Sequence, residues 1–150
     1  MANKISALLN KTNSFLEDRV QMLEELYWAD WRELESEDID KIFEYLSSSD
    51  LEIQEMAKAL SLYNNISGAY TEKFADIIAN YYINDRIKFF KALNLNRDEA
   101  IHLVYIFRSR NIFQDEEKEY EEIESAKQLS DEELEIANIF FSMYKTICNT

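Results

Sequence analysis

A chain of 150 residues with no proline and one glycine, Gly68, lacks almost every residue that lets a backbone reverse tightly. β-Hairpins need residues that tolerate positive φ, other turns use proline to preset φ, and an all-β protein meets these demands repeatedly along its length. Average usage would supply about ten glycines alone. A β-rich fold is nearly excluded, and what remains is helix joined to helix through connections rich in asparagine and serine.

The apolar content supports such a fold without help. With 47% hydrophobic and 13% aromatic residues, a chain of this length buries roughly 68–70% of its unfolded surface. A single acidic helical domain spanning 1–150 is expected, needing neither disulfide nor structural metal. The one cysteine, Cys148, has no internal partner. Residues 1–10 lack the apolar run and cleavage site of a signal peptide. No segment reaches the 18 apolar residues of a membrane span, and the richest, residues 137–144, contains Asn138 and Ser142. The expectation is a cytoplasmic protein without a membrane or cofactor.

Apolar residues recur at i, i+3, i+4 and i+7, the period of a helix and not of a strand. Ile5, Leu8, Leu9 and Thr12 open the series; Leu16, Val20, Leu23 and Tyr27 continue it, with Ser14 and Glu17 spaced as a capping box. A second helix follows Ser36 with Ile39, Ile42, Phe43 and Leu46. A third, capped by Ser49 and Glu52, carries Ile53, Met56, Ala57 and Leu60 and ends near Asn64, Asn65 and Gly68. Phe74, Ile77, Ile78 and Tyr81 mark a fourth, and Ile87, Phe90 and Leu93 a short fifth. Asn96 and Glu99 would cap a sixth, with Ala100, Leu103, Val104 and Phe107 inward and Asn111 as its stop. Residues 116–127 are nearly all charged, anchored only by Tyr120 and Ile123. The last helix opens at a Ser130–Glu133 box, and its apolar residues, Leu134, Ile136, Ala137, Ile139, Phe140, Phe141, Met143, Tyr144 and Ile147, fall on more than one face, which places it centrally. The fold class is all-α: a compact multi-helix bundle of about seven or eight short helices, or HEAT-like stacked helix pairs.

Charge is unevenly distributed. The formal net charge is −14, from 30 acidic and 16 basic residues, which argues against direct binding of nucleic acid through its phosphates. Residues 17–55 carry 14 acids against 3 bases and residues 115–150 carry 11 against 3, while residues 56–114 are mildly basic. Glu37, Asp40 and Glu44 share the helix face opposite Ile39, Ile42 and Phe43; Glu117, Glu121 and Glu124 repeat the arrangement. Like charges at this spacing cost a few tenths of a kcal/mol per pair. A solvated surface tolerates that cost, and a docking face for a basic protein also looks like this. Both tryptophans, Trp28 and Trp31, fall within the first acidic segment. They either close a helix end against the core or anchor an interface inside an acidic rim.

Catalytic and metal chemistry find little support. Glu99-Ala-Ile-His102 has the Glu-x-x-His spacing of ferritin-like di-iron sites, placing carboxylate and imidazole on one helical face. Those sites need two such motifs and two further glutamates, whereas this chain has one histidine. Any Ser-His-Asp or Cys-His site would have to use the same histidine, and one glycine cannot build a phosphate-cradling loop. The expectation is a non-enzyme.

Residues 48–60, Ser-Ser-Asp-Leu-Glu-Ile-Gln-Glu-Met-Ala-Lys-Ala-Leu, resemble the second helix of a HEAT-type repeat, an acidic cap ahead of an alanine-containing apolar stripe. With the small, acidic, helical profile, the chain looks like the immunity proteins that bacteria pair with polymorphic or contact-dependent growth-inhibition toxins. The resemblance implies a one-to-one complex with a basic toxin domain, commonly a nuclease, whose active site or substrate groove is covered. Trp28, Trp31, Glu33, Glu37, Asp40 and Glu44 form the expected contact face, with Glu117, Glu121 and Glu124 as the alternative face. Three other readings compete: a phage-type inhibitor that mimics nucleic acid, as some anti-CRISPR proteins do; a non-catalytic helical adaptor; and an enzyme or metal protein using Glu99 and His102.

Overall fold

The computed structural model describes residues 15–48, 50–66 and 68–148, the Cys148 side chain excepted. Among the described residues there are eight α-helices, three 3-10 turns and no strand, an all-α fold. The series at Ile5, Leu8, Leu9 and Thr12 lies outside the described residues, as do Ser14 and Ser49 of two expected capping boxes. The chain divides into two compact units, one up to Ile77 and one from Ile78.

The first unit contains α1 (Leu16–Trp28), α2 (Ser36–Leu46), α3 (Ile53–Ala59) and the first half of α4 (Tyr70–Asn84). On α1 the buried stripe is Met22, Leu23 and Leu26, rotated from the expected one, since Leu16, Val20 and Tyr27 are only half-buried. The expected stripe of α2 holds: Ile39, Ile42, Phe43 and Leu46 are buried. Ser47 ends that helix as its chemistry suggests, its hydroxyl donating to the Phe43 carbonyl at 2.8 Å. The cap of α3 sits later than the sequence pattern places it, because Glu55 reaches back to accept from the Glu52 backbone N–H at 2.9 Å. Leu60 to Asn65 then tightens into a 3-10 turn, and α1 packs against both α3 and this turn. Gly68, at φ +61°, provides the left-handed residue ahead of α4.

The second unit contains the rest of α4 with α5 (Arg86–Asn94), α6 (Ala100–Arg110), α7 (Glu116–Ala126) and α8 (Asp131–Cys148). Asp85 and Asp115 cap α5 and α7 by accepting from the backbone of Lys88 and Lys118. Asn111 stops α6 in the left-handed conformation, φ 50° and ψ 48°. The Ser130–Glu133 box forms in both directions, at 2.9 and 3.2 Å. Within this unit α8 is central, packing against α5, α6 and α7. Its Ile136, Ala137, Phe140, Phe141 and Tyr144 are buried in one broad arc, while Ile139 is exposed. The core is largely aromatic: Phe107 meets Phe140 with ring centroids 5.0 Å apart, Phe113 meets Tyr144 at 4.7 Å, and Phe89 meets Phe90 at 5.2 Å. Edge-to-face contacts of this kind add to the stabilisation from buried area.

Candidate partner-binding face

The two tryptophans have opposite environments. Helix α1 ends at Trp28, and Ala29 is extended at φ −78° and ψ 151°, so the chain turns before Trp31 and the two rings do not share a helical face. Trp31 begins a 3-10 turn, Trp31–Glu33; it is buried, and its indole N–H donates to the Leu26 carbonyl at 2.8 Å. It closes the end of α1 against the core. Trp28 is 74% exposed.

That exposed ring is held in place. Its indole N–H donates to Glu24 Oε1 at 3.1 Å, the other Glu24 oxygen accepts from Lys58 at 2.7 Å, and Tyr27 meets it edge-on at 4.9 Å. The Lys58 and Trp28 hydrogen bonds lower the Glu24 pKa. An exposed indole fixed this way loses little rotational freedom when a partner covers it.

Helix α2 follows the Trp31–Glu33 turn. Glu37, Asp40 and Glu44 are exposed on the face opposite its buried stripe, and Glu33 is exposed in the preceding turn. Among the described residues no cation pairs with Glu37, Asp40 or Glu44, whereas the charge of Glu33 acts on Arg32. Asp30 differs, its carboxylate forming a bidentate pair with Arg32 at 3.0 Å for each contact.

The alternative face on α7 is less open. Glu121 and Glu124 are exposed, but Glu117 accepts from Lys145 at 2.9 Å. Between them, Glu119 and Glu122 hold Arg86 at 2.7 and 3.1 Å. Part of the charge on this helix is therefore neutralised within its own unit.

Beneath α2 lies a cluster that sequence spacing does not reveal. Glu55 of α3 is 2% exposed, and its carboxylate accepts from Arg19 of α1 at 3.0 Å and from the Tyr45 hydroxyl of α2. Burial pushes the Glu55 pKa up, but the hydrogen bonds from Tyr45, Arg19 and the Glu52 backbone outweigh it, and the net shift is downward. Arg19 and Glu55 are 36 positions apart, so only the folded chain brings them together.

Glu99 and His102 do not form the pair their spacing suggests. Glu99 ends the 3-10 turn Arg97–Glu99, before the α-helical period begins at Ala100; it is buried while His102 is exposed. Burial, with Asp98 beside it, raises the Glu99 pKa. Among the described residues no group of three His, Cys, Asp or Glu side chains is placed to hold a metal. The Cys148 side chain lies outside the described residues. No described helix is long and apolar enough to cross a membrane.

No protein-family model, curated protein or solved structure matches this chain.

Proposed function

We propose that the chain is a non-catalytic binding protein that neutralises a basic protein partner, acting as an immunity protein or inhibitor toward a toxin domain such as a nuclease. The observation that carries this reading is the exposed but fixed Trp28, followed after the Trp31–Glu33 turn by a helix whose outward Glu37, Asp40 and Glu44 form no ion pair among the described residues. Aromatic anchors surrounded by polar groups dominate many interfaces. Unpaired carboxylates favour fast capture of a positive surface. A cytoplasmic complex covering the toxin's active site or substrate groove is the corresponding mechanism.

The α2 face is preferred over the α7 face because, among the described residues, Glu37, Asp40 and Glu44 form no ion pair while Glu117, Glu119 and Glu122 do. Nucleic-acid mimicry and a plain adaptor role are the competing readings. The test begins with the adjacent gene, and a basic toxin domain encoded there serves as the partner. Combined reversal of Glu37, Asp40 and Glu44 to lysine should slow association by about tenfold or more at low salt. Trp28→Ala should act mainly on dissociation. An unchanged association rate in the triple variant would sink the assignment of this face.

A further inference from the structure

Helices α6 and α8 of the second unit lie side by side and run in the same direction. Arg97, just ahead of α6, donates to Glu135 Oε1 and to the Glu132 carbonyl near the start of α8, each at 2.8 Å. Further along, Phe107 meets Phe140, and the Arg108 guanidinium lies 5.6 Å from the Tyr144 ring centroid. Helix α7 covers the other flank of α8, where Lys145 holds Glu117 at 2.9 Å and Tyr120 meets Phe141 at 5.8 Å. Ile139, one turn after Glu135, therefore stands on the flank of α8 that faces α6. Ile101 and Tyr105 follow Arg97 at intervals of four and stand across the seam from it.

Ile101 and Ile139 are each 40% exposed and Tyr105 is 59% exposed, so the seam presents an apolar strip to solvent. Contiguous apolar surface of this kind marks an interaction site. Charge narrows the occupant. The chain carries −14, yet residues 100–114 contain two arginines and no carboxylate. Along the seam the charges are segregated: Asp131, Glu132 and Glu135 are exposed at its N-terminal end, partly offset by Arg97, while Arg108 and the exposed Lys145 stand at its C-terminal end. Turned about a two-fold axis lying across the helices, this face meets its own image with acidic end against basic end and apolar strip against apolar strip. A parallel arrangement would set acids against acids.

We propose that this face binds a second copy of the chain, forming an antiparallel two-fold dimer through α6 and α8. The contact belongs to the second unit and does not rest on the function proposed above, whose contact face belongs to the first.

Sedimentation equilibrium of the full chain at physiological ionic strength should show the mass doubling as concentration rises, with a Kd of about 10–100 µM, a weak association suited to a small apolar centre. Tyr105→Glu and Ile139→Glu, both at exposed positions, should each weaken it by about tenfold or more while ellipticity stays native. Arg108→Glu and Glu132→Arg should each weaken it severalfold, and the two together should restore it, because the exchanged ends attract again. Restoration separates a charge contact between copies from a structural loss within one. Trp28→Ala should leave the dimer intact. A chain that stays monomeric up to about 1 mM, a dimer unmoved by both Tyr105→Glu and Ile139→Glu, or no recovery on exchanging both charges would overturn the proposal. So would a monomer whose capture of a toxin domain is weakened by Tyr105→Glu, since the seam would then belong to that partner.

Discussion

Trp28 and Trp31 are three residues apart, and substituting them should have opposite consequences. Trp31→Phe removes the indole hydrogen bond to the Leu26 carbonyl and leaves unfilled volume at the end of α1. It should cost about 1–3 kcal/mol in denaturant unfolding. Trp28→Ala should change stability by no more than about 0.5 kcal/mol, as usual for exposed positions. Equal losses from both would show that Trp28 is structural. Spacing alone assigns neither role, because the extended residue Ala29 breaks the helical period between them. Glu55 was equally hidden: its partners come from two other helices, and one is 36 positions away. Its folded-state pKa is depressed, so the stability it contributes is present above the ordinary glutamate value near 4.3 and is lost as pH falls through the lower folded value. Glu55→Gln should cost roughly 2 kcal/mol at pH 7, less than for a fully buried pair because Arg19 keeps some access to water. It should also flatten the acid limb of a plot of Tm against pH. An acid limb of unchanged slope would show that other carboxylates govern it.

Among the elements, the Ser130–Glu133 box was legible because both partners are local and the helix they open is long. Ser130→Ala should destabilise the second unit by about 1 kcal/mol. Glu133 also accepts from Lys91 at 3.0 Å, so Glu133→Ala should cost more than Ser130→Ala; the reverse order in thermal melts would mean that the Lys91 contact contributes nothing. The box expected at Asn96–Glu99 instead gave a 3-10 turn, with α6 starting afterwards at Ala100. Helix existence and the buried stripe of α2 follow from periodicity, which is a property of one segment. The rotated stripe of α1 and the exposure of Ile139 on α8 do not, since both are set by which neighbours pack alongside.

At the scale of the whole chain, composition fixed the fold class, because one glycine and no proline leave few alternatives to helix. Division at Ile77 and Ile78 was not legible, since it falls inside α4, where no change of composition marks it. The charge excess has a further effect: self-repulsion at −14 opposes compaction, while the ion pairs among the described residues mostly involve groups with access to water and contribute little each. Raising sodium chloride from low concentration to about 0.5 M, where screening reaches only a few ångströms, should therefore raise Tm. A fall would show that attraction outweighs repulsion in the native state.

The placement of both tryptophans in the first unit also makes the protein its own optical probe. Indole emission reports on the residues up to Ile77, whereas the second unit contains only phenylalanine and tyrosine. Iodide should quench the solvent-facing ring and spare the enclosed one, separating partner contact from loss of structure in one sample. Unfolding followed by indole emission and by backbone ellipticity will coincide if the two halves melt together and diverge if they do not.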